Sequence, residues 1–237
     1  MNFFKLNELA IEFRSDIGIK HTDSIDFFPV IANKLKNLTI VFLDMDLEIS
    51  GACCKFDAPK IMFINSNHTK GRQAFTAAHE LYHLFYDDTP FTICKLGSDD
   101  KIEKNADNFA SFLLMPINAL YNYKKENNIE KWDLDLIIDC EQYYQISHES
   151  LLYRLKSIGD ITSEQYLEFD GDIKLKASQR GYDSSLYEPY ISKNYTIGNY
   201  ARLVEEVFEK ELISNARKDE YLLDAFLDDL VYNMEEL

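Results

Sequence analysis

The chain has 237 residues, 46% of them hydrophobic, and a formal net charge of −16. That length and apolar content support a sizeable core with one or two domains and exclude a disordered chain. No run of Lys and Arg supplies a basic patch, so the charge argues against a phosphate backbone as partner and suits either a basic protein partner or plain solubility.

The four cysteines, Cys53, Cys54, Cys94 and Cys140, form no C-x-x-C pair and no disulfide framework, which fits a reducing, intracellular setting. The N-terminal MNFFKLNELAIEFRSD carries Lys5, Glu8, Glu12 and Arg14 and has no apolar signal core. The longest uncharged run, Asn108 to Tyr123, is too short to span a bilayer and contains Pro116. The expectation is a soluble cytoplasmic protein with no membrane partner.

Phe3, Leu6, Leu9, Ala10 and Phe13 recur at helical spacing over residues 2–14, and a second short helix fits Phe27 to Lys36 with Pro29 near its start. The period then changes. LTIVFLDM, EISGACCKFD and KIMFINSN are rich in β-branched and aromatic residues and are separated by turn formers. Their short connections predict a small antiparallel sheet. A helix follows from Arg72 through Tyr86, ended by Asp87, Asp88, Thr89 and Pro90, then a variable stretch to Gly97 and a helix from about Lys101 to Met115, stopped at Pro116. Residues 131–168 read as further short helices, broken at Gly159, with Ser163 as a cap. Residues 169–198 read as an irregular connector, and 199–237 as an acidic helical tail. In that tail Leu203, Val204, Val207 and Phe208 form one apolar stripe, and Leu222, Leu223, Phe226, Leu227 and Leu230 another.

The helix beginning at Arg72 contains FTAAHELYHLFY. Positions i and i+4 share a helix face about 6 Å apart along the axis, so His79 and His83 can direct two imidazoles at one ion. Glu80 lies about 100° around the helix, out of place for a ligand but able to reach a water on the metal. This is the mechanics of H-E-x-x-H, two ligands and a general base on one turn. A half-buried helix with no metal explains the motif about as well when it is taken alone. A catalytic zinc needs a third protein ligand and an open position. KIEKNADNFASFLLMP offers Glu103 as that ligand and Asp107, four residues on, as acceptor of an imidazole N–H. Taken alone, Asp100 and Glu103 also fit a capping box, and Asp107 a solvated surface acid.

H-E-x-x-H followed by E-x-x-x-D resembles the gluzincin arrangement of thermolysin-like peptidases. RQAFTAAHELYHLF, EKNADNFASFLLMP, the preceding IMFIN and the downstream YYQISHESLLYRLKSIGDIT together resemble the ImmA/IrrE family of metallopeptidases, most clearly from about residue 60 to 160. The resemblance implies Zn2+ as cofactor, His79, His83 and Glu103 as its ligands, and Glu80 as general base. It implies cleavage of a helix-turn-helix repressor, a basic DNA-binding protein, with release of mobile-element or stress-response genes. One departure is Tyr82, where the family often has glycine before the second histidine, and a bulky side chain there can narrow the cleft. The alternative reading is a non-catalytic regulator that uses the same scaffold to bind a protein or DNA.

Donors for the tetrahedral oxyanion are sought among His148, Tyr153 and Arg154, although His148 reads more simply as an exposed residue at a helix start. YQISHESLLYRLKSIG also resembles the turn and second helix of a helix-turn-helix, with Ser147 as cap. Arg154 and Lys156 lie near Glu149 and Asp160, so direct nucleic-acid binding is not expected. The fold predicted is α+β, a minimal zincin: residues 1–130 as a core with N-terminal helices and a small sheet packed on the H-E-x-x-H helix, a helical segment over 131–168, the connector, and the C-terminal helices. The cleft is expected between the sheet edge and the helix carrying His79.

Overall fold

The computed structural model describes residues 1–56, 59–88, 90–95 and 100–232. Helix α1 spans Phe3–Asp16, and Asn2 caps it by accepting the Lys5 N–H at 2.8 Å. Leu6, Ala10 and Phe13 form its buried face, joined by Arg14. Helix α2 (Phe27–Lys34) leads into β1 (Leu38–Leu43), β2 (Ile49–Lys55) and β3 (Lys60–Asn65). Helix α3 runs Lys70–Tyr86, β4 Phe91–Lys95 and α4 Lys101–Leu114. Further along come α5 (Ile117–Glu126), α6 (Leu134–Tyr144), α7 (His148–Ser157) and α8 (Ser163–Phe169). Thr162, not Ser163, caps α8, in a capping box with Gln165. Gly97 and Thr89 lie outside the described residues.

The sheet has the order β4-β2-β3-β1-β5, where β5 is Tyr195–Gly198. Three pairings are antiparallel as expected, but β1 and β3 run parallel, from Leu38 opposite Lys60 to Leu43 opposite Asn65. Short connections alone did not reveal this. Residues 44–48 carry the chain past one strand position, and β3 returns antiparallel to β2 into the gap. The most apolar strands thereby sit in the middle, with Ile40, Phe42, Met62 and Ile64 all fully buried. The Asn65 amide fixes the crossing by donating to the carbonyls of Asp46 (3.0 Å) and Ile49 (2.8 Å).

Helix α3 packs on β2 and β3, with Gln73 donating to the Asn65 carbonyl at 3.1 Å, and its Ala74, Ala77 and Ala78 are buried. The approach is tight at Gly51, where a Cβ would stand 2.7 Å from the Phe63 carbonyl oxygen and from Thr76 Cγ2. Only glycine lets β2 lie this near the helix carrying the histidines. On its other flank α3 packs on α4, and α4 on α1, around Phe13, Tyr82, Phe109 and Leu113.

Residues 169–198 are not an irregular connector. They hold α9 (Ile173–Gln179), a short 3-10 turn at Ser185–Tyr187 and β5, which pairs with β1. The pattern hid β5 because it is four residues long and ends at Gly198. That glycine has φ of +97°, and a Cβ there would meet the Leu38 carbonyl oxygen at 2.5 Å. The segment is also anchored to α3: Gln73 donates to the Ile191 carbonyl at 3.0 Å and accepts the Tyr190 N–H at 2.8 Å. Helices α10 (Asn199–Glu209), α11 (Asn215–Asp224) and α12 (Asp228–Tyr232) close a small core of their own, from Val204, Leu222, Ala225 and Leu227. Leu203, Leu223 and Leu230, expected on the apolar stripes, are exposed.

Candidate metal centre

His79, Glu80 and His83 lie on the buried side of α3, and Glu80 and His83 are fully buried. The two imidazoles are set by acids behind them. Asp107 Oδ1 lies 2.8 Å from His79 Nδ1, and Asp87 Oδ2 lies 3.0 Å from His83 Nδ1. An acid on Nδ1 selects the Nδ1–H tautomer and turns the Nε2 lone pair forward. Those Nε2 atoms face each other at 3.1 Å. Glu103 completes the convergence, with Oε2 3.3 Å from His79 Nε2 and Oε1 3.4 Å from His83 Nε2. Two lone pairs and a carboxylate held this close repel one another unless a proton or a metal cation stands among them. Imidazole nitrogen and carboxylate oxygen are the donors zinc takes, so the residues fit that ion.

The structure therefore brings together His79, His83, Glu103 and Asp107, and places Glu80 beside them. Glu103 does not cap α4 with its side chain. Asp100 does so, accepting the Ile102 N–H at 2.7 Å. Asp87 was read from the sequence only as a helix terminator; its i+4 spacing from His83 was the signal that it would orient that ring. The fourth donor missed was Cys94 on β4. Its sulfur and one donor atom from each of His79, His83 and Glu103 all lie within 4.8 Å of one another. No spacing rule marks it, because β4 reaches the site only through its pairing with β2.

Electrostatics express the same demand for positive charge. Burial opposes a charged His79, but hydrogen bonds to Asp107 and Glu103 and the nearby Glu80 charge outweigh it and raise its pKa to about 10. Glu103 is held below the usual carboxylate range, first by its hydrogen bond to His79. Glu80 is pushed up by burial, against the nearby His79 charge and the weak thiol donors Cys94 and Cys53. A histidine raised in this way stabilises the fold fully below its unfolded pKa of about 6.5 and loses that contribution as pH climbs to about 10. Chelated protein is thus expected to lose Tm between those pH values. His79→Gln should show a flatter profile, and equal slopes for the two chelated proteins would refute the assignment.

A cleft of about 530 Å³ opens at the centre, lined by His79, Cys94, Glu103 and Asp107 and, from α7, by Tyr153 and Arg154. It lies mainly among α3, α4 and α7, and the sheet contributes Ser50 and Cys94. The sheet edge that borders it, which the sequence does not identify, is β4. Tyr82 does not line the cleft. Its ring packs 5.7 Å from that of Phe109, in the α3–α4 seam. His148 is not exposed and does not line the cleft: its Nδ1 pairs with Glu141 Oε2 at 3.0 Å and its Nε2 lies 3.2 Å from the Phe169 carbonyl oxygen. Arg154 is buried and donates to the carbonyls of Ser111 (3.1 Å) and Met115. Asp160, read as its neighbour in charge, instead pairs with Lys124 and accepts from the Trp132 indole N–H. Tyr153 is 69% exposed.

Two facing helices bearing H-E-x-x-H and E-x-x-x-D beside a short mixed sheet define a small zincin-like α+β fold. A peptidase family model described as the IrrE N-terminal-like domain matches residues 34–156, and the chain belongs to that ImmA/IrrE family. The match runs from the end of α2 almost to the end of α7. Among solved structures, a Mycobacterium tuberculosis transcriptional regulator is similar over 64% of this chain, at 17% identity and a TM-score of 0.45. The chain covers 47% of that protein, about half its length. No curated protein matches the sequence. No helix among the described residues is long and apolar enough to cross a membrane.

Proposed function

We propose that the chain is a zinc-dependent endopeptidase that cleaves a basic helix-turn-helix repressor and so derepresses mobile-element or stress-response genes. The observation that carries the catalytic part is the opposed pair of Nε2 atoms at 3.1 Å, each ring oriented from behind by an acid. Zinc held by His79, His83 and Glu103 would supply a Lewis acid that polarises the scissile carbonyl and makes water more acidic. Glu80 accepts a proton from the attacking water and delivers it to the leaving amine nitrogen. Asp107 and Asp87 keep the imidazoles in the tautomer that presents Nε2. Of the three side chains considered for the oxyanion, Tyr153 is the one both exposed and on the cleft. His148 is engaged elsewhere, and the Arg154 guanidinium is committed to α4 carbonyls.

The substrate class rests on the family and on the net charge of −16, which favours encounter with a basic protein. The alternative of a DNA-binding regulator draws less support. Helices α6 and α7 are joined by a short turn, but Arg154 is turned into the protein and Lys156 lies over the Tyr166 ring. A non-catalytic scaffold also has no use for Glu80, a fully buried carboxylate set against only two thiols. The test is the metal content of purified wild type and His83→Ala, followed by co-expression with a helix-turn-helix repressor encoded nearby. About one zinc per chain in wild type, its loss in His83→Ala, and repressor cleavage only by wild type are expected. Wild type that binds no zinc when offered it would end this reading.

A further inference from the structure

The proposed mechanism leaves one donor of the cluster unused. Cys94 is buried, 4% exposed, and in no disulfide. Its partner across the sheet is Gly51, where a Cβ would stand 2.7 Å from Thr76 Cγ2 and 3.2 Å from Glu80 Oε1. The pairing of β4 with β2 thus delivers the thiol to the space in front of the histidines. A catalytic zinc keeps one coordination position for water, whereas a structural site fills all four with protein. In this fold the fourth donor stands where that water is required. Glu80 shows the consequence. It is fully buried, and the only groups set against its carboxylate among the described residues are the weak thiol donors of Cys53 and Cys94.

Resting on the reading of the centre as a zinc peptidase, we propose that Cys94 is its fourth ligand, so that the resting protein is latent and becomes active when the thiolate is displaced. Ligation forms a zinc–sulfur bond and releases the thiol proton to solvent. Displacement breaks that bond and frees the position for water beside Glu80. The strand that carries the thiol is built to leave. β4 is five residues long, lies at the sheet edge, is paired on one side only, and exposes Phe91 and Ile93. A sheet edge is also where an extended substrate peptide can add as a strand. The same element therefore holds the lock and borders the substrate's place.

The test is cobalt substitution of the full chain, with zinc-edge X-ray absorption as a second readout. Wild type is expected to show a thiolate-to-cobalt charge-transfer band in the near ultraviolet and, with zinc, one sulfur neighbour at about 2.3 Å. Cys94→Ser should still bind cobalt but lose both signals, while Cys53→Ser keeps them. Repressor cleavage by Cys94→Ser should rise at least about tenfold, the barrier to thiolate displacement having gone. A wild-type cobalt complex without the band, or a band that survives in Cys94→Ser, overturns the proposal while leaving the peptidase reading intact. Failure of wild type, Cys94→Ser and Cys53→Ser alike to take up cobalt overturns both.

Discussion

Glu80→Gln is expected to bind zinc as wild type does and to cleave repressor about 10²–10⁴ times more slowly, the usual contribution of a positioned general base. The two effects separate because Glu80 is not among the residues converging on the ion. His79, His83 and Glu103 supply the donors, while Glu80 lies around the helix from the histidines. Glutamine has nearly the same shape and fits the space bounded by Gly51, Cys53 and Cys94, but its amide accepts no proton at neutral pH. Stability should move the opposite way. Burial pushes the Glu80 carboxyl up, so its ionised form destabilises the fold as pH rises above the ordinary carboxylate range. The neutral amide removes that penalty, and the variant should melt no lower than wild type at pH 8. Single-turnover cleavage, zinc content and Tm on the same preparation check all three. If wild type is latent, the pair to compare is Cys94→Ser with and without Glu80→Gln. Cleavage that is undiminished in the glutamine variant would remove Glu80 from the mechanism.

Arg154→Met is expected to destabilise the protein by on the order of 3 kcal/mol, lowering Tm by roughly 6–12 °C for a chain of this size. The guanidinium sits at the C-terminal end of α4, where the last carbonyls have no helical N–H to accept from. It donates to the carbonyls of Ser111 and Met115 and lies 4.9 Å over the Phe112 ring. Arg14, fully buried, reaches the same helix end from α1 and donates to the Leu113 carbonyl at 2.6 Å. Two cations thus hold the negative end of the helix whose other end carries Glu103. Burial lowers the pKa of each to about 10, and both stay charged at neutral pH. Methionine keeps the length and apolar stem but takes the guanidinium donor from the buried Met115 carbonyl, while Ser111 keeps only its bond from the Met115 N–H at 3.0 Å. Urea unfolding would check the loss, and a change below about 0.5 kcal/mol would show that the bonds contribute nothing net. A lowered zinc affinity in the folded variant would further show that the C-terminal anchor of α4 positions Glu103.

The two readings of the α6–α7 pair separate on the same residue. A recognition helix offers its cations to bases and phosphates, and salt weakens such binding steeply. Here the Arg154 side chain is used inside the protein, and Gly71 at the start of α3 lies against the α6–α7 turn, where a Cβ would stand 2.9 Å from Ser147 Cα. Helix α7 serves as a wall of the cleft. Its exposed residues on the cleft include Glu149 and Tyr153, not a basic face.

The sequence by itself determined the local elements and the part of the centre that lies on helices. Helical period and terminators placed α1, α3 and α4 to within a residue or two, because amphipathic spacing, Pro116 and the acids after Tyr86 act on neighbouring residues. His79 and His83 were legible for the same reason, since i and i+4 share a face in any helix, and so was Asp107 once Glu103 was placed. Only the tertiary structure decided what depends on elements far apart in the chain. The parallel β1–β3 pair, the addition of β5 to the sheet and the burial of Arg154 leave no local periodicity. Cys94 is the sharpest case. Alone it is one thiol on a short edge strand, and only the pairing of β4 with β2, drawn close to α3 by the missing side chain of Gly51, places it among the histidines.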